Sequence, residues 1–232
     1  MLLPKKSDTV SIVGLYRQDL AGESYDSLRE KGDIWTMGDW YRPYPWLYSP
    51  DVVFNLHDPA ILDDLEHRFP GDWKSFYQNC GAKIVVPGEH LAPWQQIIEH
   101  SVSYERLIAC LNDYPGGFAC SISCAITLAV EMGYKKVIIR GCRLRDDEFK
   151  YQVAGILRAI KIANKHGVEV ECEYLDEWDS RAALVDWGEV CGITGHYFKN
   201  EVRMFIRIKV ETGLKAYVDE GIILSDIEKK GE

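Results

Sequence analysis

Five short segments carry most of the residues able to do chemistry: residues 14–17 (GLYR), 38–40 (GDW), 55–58 (NLHD), 87–90 (PGEH) and 141–145 (GCRLR). Four of the five contain glycine, which lets a backbone approach a ligand closely. Arg17 and Arg143 stand near Gly14 and Gly141, and a guanidinium fork beside a glycine turn suits a phosphate or a carboxylate. His57 ends an apolar run and is flanked by Asn55 and Asp58, so it should emerge among polar neighbours as the leading candidate for acid–base work. His90 holds a comparable position and is the second candidate, while His196 is either a helix cap or a ligand contact. In residues 116–125 (GGFACSISCA) a glycine pair runs into a serine-rich helix start. There the helix dipole and unbonded N–H groups favour an anion, and Ser121 and Ser123 add hydroxyls. The alternative is that serine only caps this helix and the small residues only let it lie close to a sheet.

Other chemistries are poorly served. The first turn lacks the second and third glycines of G-x-G-x-x-G, so a nicotinamide site is disfavoured, and neither a Walker A sequence nor G-x-S-x-G is present. Cys120 and Cys124 share a helical face but have no second ligand pair, which favours core packing over zinc. The acidic run Asp146, Asp147 and Glu148 is explained by favourable charge at a helix start, although Glu148, Tyr151 and Gln152 are spaced to reach the same cleft as Gly141.

These segments need elements to hold them. Runs rich in β-branched residues predict strands at Thr9–Val13, Asp33–Met37, 52–56, Lys83–Val86, 136–139 and 168–172. Helical periodicity predicts helices at 72–79, 102–111, 121–132 and 149–166, the last two stopped by Gly133 and Gly167. Alternation of this kind implies an α/β, Rossmann-like, doubly wound and mainly parallel sheet. Ligands then gather at the C-terminal ends of the strands, where all five chemical segments fall. Residues 38–59 hold Trp40, Tyr41, Tyr44, Trp46 and Tyr48, a stiff aromatic loop that either walls a pocket or packs on the core.

Within 232 residues, 27 Lys and Arg stand against 36 Asp and Glu, a formal charge of −9. This disfavours general binding to nucleic acid or anionic membrane. No apolar run approaches the ~20 residues that span a bilayer, and MLLPKKSDTV lacks the apolar stretch of a secretory signal. Seven cysteines, an odd number in apolar contexts, point to reduced thiols and a cytoplasmic location. The expected division is a nucleotide-binding-type sheet domain over residues 1–175 and a helical C-terminal annex over 176–232. Within the annex Phe198, Val202, Phe205, Ile206 and Tyr217 form a stripe that Met204 and Ile208 widen beyond the ~100° one sheet face needs. Either Trp178, Trp187 and Tyr197 cover the surplus, or residues 198–218 pair two copies in a homodimer.

In order, SIVGLY, IWTMGDW, VVFNLHDP, CSISCAITLAVEMGYKKVIIRGCRL and EFKYQ resemble a group of phage and bacterial Rossmann-like proteins. That group is distantly similar to the hydroxymethylpterin pyrophosphokinase-like and flagellin-glycosylation proteins and to bacterial sialyltransferases. The resemblance covers roughly residues 8–172. It implies a nucleotide or nucleotide-sugar ligand; the strand-end turns and the serine-rich helix start would line its cleft with Gly14, Arg17, Gly38, Asp39, Asn55, Ser121, Ser123, Gly141 and Arg143, with no metal or further cofactor named. The chain departs from the group's pattern: Leu15, Tyr16, Arg17 and Gln18 replace x-x-P-S after the first glycine, and Cys142, Arg143 and Leu144 stand where x-D-M is common. Two readings therefore stay open. One is a transferase for glycosyl or pyrophosphoryl groups, with Arg17 and Arg143 balancing leaving-group charge, the Ser121 helix start holding phosphate and His57 as base. The other is a non-catalytic protein that binds or sequesters a nucleotide; a nicotinamide-dependent oxidoreductase comes third.

Overall fold

Val, Ile and Thr make the central strand runs stiff and apolar on both sides, which suits burial between two helical layers. The computed structural model describes residues 3–16, 20–38, 45–55, 57–60, 62, 73–99, 101–103, 120–143 and 150–182. It contains one sheet of β1 (Thr9–Val13), β2 (Asp33–Met37), β3 (Val52–Phe54), β4 (Lys83–Val86), β5 (Val102–Ser103), β6 (Lys136–Arg140) and β7 (Glu169–Cys172). The strands lie in the order β5-β4-β3-β2-β1-β6-β7 and every pairing is parallel. The chain moves outward from β1 to β5, then returns to place β6 on the free side of β1, with Ile12 opposite Trp35 on one flank and Ile139 on the other.

Six helices accompany these strands among the described residues: α1 (Tyr25–Lys31), α2 (Trp73–Asn79), α3 (Leu91–Ile97), α4 (Ser121–Glu131), α5 (Lys150–Lys165) and α6 (Leu175–Ala182). Strand alternation sorts the core into two layers. Val10, Ile12, Trp35, Phe54 and Ile139 pack with Ala125 and Leu128 of α4, Val153 and Ile156 of α5, and Trp178 of α6. Val13, Ile34, Val53, Ile84 and Val86 pack with Leu28 of α1, Trp73 and Tyr77 of α2, and Trp94 of α3. Burying each large apolar side chain contributes roughly 1.5–3 kcal/mol, so both layers hold the sheet firmly. The doubly wound α/β architecture expected from the sequence is thus observed, and β1 and β6 form its switch point.

Some elements differ from expectation. The helix expected at 102–111 begins instead as β5, because Val102 and Ser103 pair with Val85 and Val86 of β4; residues 104–111 lie outside the described set. Pairing along an open sheet edge here overrides a helical pattern. Helices α1 and α3 were not expected. Helix α1 buries only Leu28 but carries a reciprocal Ser24–Ser27 cap, and α3 tolerates Pro93 because its first turn needs no N–H donors. Trp178, just past the expected boundary at 175, is fully buried in the sheet's core. The rest of the expected annex beyond Ala182, including the stripe at 198–218, lies outside the described residues. No described helix is long and apolar enough to cross a membrane.

Candidate functional site

At the switch point the turns after β1 and β6 are joined by backbone. Gly14 N donates to Arg140 O and Tyr16 N to Gly141 O, both at 2.8 Å, so the ladder continues past the strand ends. A Cβ on Gly14 would lie 2.3 Å from Gly141 O and 2.7 Å from Cys142 Sγ. Gly14 is therefore required by the approach of two turns, and the pair forms the floor of the crevice. Gly141 has φ +62° and its N–H donates to Tyr174 Oη at 3.1 Å. Arg143 follows, half-buried, with Nε 3.5 Å from Glu177 Oε2 of α6. Arg17 and Asp39, expected at the same rim, lie outside the described residues.

Helix α4 precedes β6 and packs on β1 and β2, so its start belongs to the C-terminal edge of the sheet. Ser123 does not face a ligand there. It is fully buried, its Oγ accepts from Cys120 N at 3.1 Å and donates to Cys120 O at 2.8 Å, and Cys120 Sγ in turn accepts from the Ser123 N–H. The expected ligand donor is thus a cap residue, because the third helical position turns inward toward the sheet. Ser121, half-buried at the helix start, keeps its rim position. Cys120 and Cys124 belong to the core.

The next part of the rim is built by two short aromatic helices. Tyr77 Oη of α2 donates to Gly38 O and accepts from Asn55 Nδ2, both at 2.7 Å. Asn55 Oδ1 accepts from His57 N at 3.0 Å, and Trp94 Nε1 of α3 donates to His57 O at 2.9 Å. Asn55 is buried, so its amide acts as a strut between turns and not as an open ligand contact. Trp73, Tyr77 and Trp94 pack ring against ring, with Tyr77 and Trp94 centroids 5.1 Å apart, which locks both donors in place. Gly38 sits at φ +33° with nothing among the described residues within 4 Å of a Cβ position, so this turn is open on the side the described residues define.

Two further residues meet at the β3–β4 end. Asp58 Oδ1 accepts from Ala60 N at 2.8 Å, and Asp58 Oδ2 lies 3.5 Å from His90 Nδ1. Tyr77, Trp94 and the Asp58–His90 contact were not foreseen. The sequence signal that could have found them is aromatic residues with polar tips on helices flanking a histidine-bearing turn. With strands about 4.8 Å apart, the rim from β3 to β6 spans three spacings, roughly 14 Å. Two of the described thiols are poor nucleophiles: burial pushes Cys80 up, and burial is the main reason Cys172 is pushed up to about 11.

The opposite edge holds a tight charge network. Asp51 accepts from Ile34 N at 2.8 Å, Lys6 Nζ at 2.6 Å and Arg29 Nη1. Burial by itself would raise the Asp51 carboxyl, but these bonds outweigh it and hold it below the usual carboxylate range. Asp33 accepts from Lys6 N at 2.9 Å, Ser7 N at 3.2 Å and Tyr134 Oη at 2.6 Å. Burial, then the Asp33 partner, drives the Tyr134 hydroxyl well above its ordinary range.

A parallel, doubly wound sheet with a glycine-floored switch point defines an α/β protein of the kind that binds ligands at its strand ends. Solved structures similar to this chain in that fold include two of one enzyme. One is the sialyltransferase CstII from Campylobacter jejuni in complex with a substrate analogue, CMP-3FNeuAc, at 14% identity and TM-score 0.50, covering 71% of this chain and 79% of that one. The other is the same enzyme with cytidine-5'-monophosphate, at 15% identity and TM-score 0.50, covering 71% and 78%. The likeness is one of fold, and it matches the sialyltransferase part of the resemblance but not the pyrophosphokinase-like part. No protein-family model and no curated protein matches the chain.

Proposed function

We propose that this protein binds a nucleotide sugar along the C-terminal edge of the sheet and transfers its glycosyl group to a hydroxyl acceptor. The observation that carries the reading is the open turn at Gly38, which lies on β2 between the switch point and the histidine-bearing turn of β3. The start of α4 supplies helix-dipole stabilisation for a phosphate near β1 and β2. Arg143 supplies a cation one turn away, and two histidines supply proton acceptors. The fold shared with a CMP-sugar complex favours a CMP-activated donor and glycosyl over pyrophosphoryl transfer.

Thermal-shift measurement against CMP, CDP, UDP and their sugar conjugates tests the reading. A true ligand at ~100 times its dissociation constant stabilises the fold by about 2.7 kcal/mol. Absence of any shift across the series rejects it. A non-catalytic nucleotide binder is the second reading, favoured by the inward-turned Ser123 and Asn55 and by the Arg143–Glu177 pair. Product formation from a labelled CMP-sugar separates the two.

A further inference from the structure

We propose that Asp58 and His90 form a carboxylate-oriented imidazole that takes the acceptor's proton, placing the acceptor at the β3–β4 end of the rim. The inference rests on the transferase reading above. Its basis is a chain of anchored groups. The Ala60 N–H holds one Asp58 oxygen at 2.8 Å, which leaves the other 3.5 Å from His90 Nδ1. His90 stands where a single turn (Gly88–His90) passes into α3, and its own N–H donates to Pro87 O at 3.0 Å. Trp94, further along α3, donates to the His57 carbonyl, so one helix fixes both the imidazole and the turn bearing its carboxylate. A carboxylate at Nδ1 selects the tautomer with the proton on that nitrogen, makes Nε2 the accepting atom, and stabilises the imidazolium that forms. Separations of this length in an unliganded site often tighten in the substrate complex. His57 N donates to Asn55 Oδ1 and His57 O accepts from Trp94 Nε1, which fixes the turn that carries Asp58.

The step balances without another reactant. The acceptor oxygen forms a bond to the donor's anomeric carbon while the bond from that carbon to the nucleotide phosphate oxygen breaks. The bonding pair leaves with the nucleotide, the hydroxyl proton passes to His90 Nε2, and solvent later removes it. Strand β4 lies two spacings from β2, about 10 Å, so a donor whose phosphate rests near Gly38 has its sugar within reach of this pair.

Long-range proton–nitrogen correlation spectra of the imidazoles in the full chain read the tautomer directly. His90 should carry its proton on Nδ1, and Asp58→Asn should move it toward Nε2. His90→Gln should lower turnover of a CMP-sugar at least ~100-fold while leaving the donor-induced thermal shift unchanged, whereas His166→Gln, an exposed position just past α5, should leave turnover unchanged. Should His90→Gln fail to fold, the tautomer and turnover of Asp58→Asn decide the matter. An Nε2–H tautomer in the native protein, or wild-type turnover by His90→Gln, overturns this role and leaves the transferase reading standing. A native protein that binds no nucleotide sugar of the series above overturns both.

Discussion

The two ends of the sheet use polar side chains in opposite ways. At the N-terminal end Asp33 and Asp51 are 1% and 6% exposed, and their carboxylates are saturated by main-chain N–H groups, Lys6, Arg29 and Tyr134. At the C-terminal end the ionisable groups Asp58, His90 and Arg143 are half-exposed, and the buried polar groups Asn55 and Tyr77 hold main chain in place. One end uses charge to tie the N-terminal arm to β2 and β3. The other fixes a scaffold of turns and leaves titratable groups within reach of solvent. Stability and ligand binding should therefore be separable by substitution.

The largest effect is expected at Asp51. Asp51→Ala removes the acceptors of Arg29 Nη1 and the Ile34 N–H, although Arg29 Nη2 keeps Tyr25 Oη and Ser49 O, while Lys6, 65% exposed, rehydrates. Breaking such a buried pair costs about 3 kcal/mol, the low end of its range, so melting should fall by about 6–12 °C while the nucleotide-induced shift survives. The pH dependence has a definite sign. Asp51 titrates below its ordinary 3.8 in the folded chain, so its contribution is present above that value and is lost as pH falls through the lower folded value. The acid limb of a stability curve should flatten in Asp51→Asn. Gly14→Ala comes next, at about 1–3 kcal/mol, because its Cβ must push apart the β1 and β6 turns. Unlike Asp51→Ala, it should also reduce the nucleotide shift, since it deforms the crevice floor.

Most of the fold was legible in the sequence, because β-branched runs and glycine stops mark β1 to β4, β6, β7, α4 and α5 within about two residues. The two-residue β5 was not, since only its pairing with β4 makes it a strand. The rim was legible as a location, because parallel topology puts Gly38, Asn55, His57 and Gly141 at one edge. What each rim residue does was not. Ser123 and Asn55 have the right atoms for a ligand but turn them toward Cys120, His57 and Tyr77, and residue type does not reveal that direction. Tyr77 and Asp58–His90 depend on how helices α2 and α3 lie against the sheet, a long-range matter with no local pattern.

A medium effect belongs to Tyr134→Phe. Asp33 keeps its two main-chain donors, so the loss is one hydrogen bond to a charged acceptor, about 1.5–3 kcal/mol. Because the folded hydroxyl titrates above its ordinary 10.0, its contribution is complete below that value and declines as pH rises beyond it. Melting curves of the variant should lose that alkaline decline, and nucleotide binding should not change.

The smallest stability effect, and the sharpest division between the two ends, is expected from one substitution made twice. Gly38 and Gly133 both have positive φ, +33° and +72°, and among the described residues neither has an atom within 4 Å of a Cβ position. Alanine at either site meets only backbone strain, of order 1 kcal/mol, so both variants should melt a few degrees low and by similar amounts. Their positions differ. Gly133 follows α4 and its carbonyl accepts from Lys5 Nζ at 3.0 Å, on the side of the N-terminal network, whereas Gly38 ends β2 on the open rim. A methyl group at Gly38 projects into the space proposed for the donor. Gly38→Ala should then reduce the nucleotide-induced shift, and Gly133→Ala should leave it intact. Equal shifts in the two variants would remove the Gly38 turn from the site while leaving the structural contrast between the sheet's ends in place.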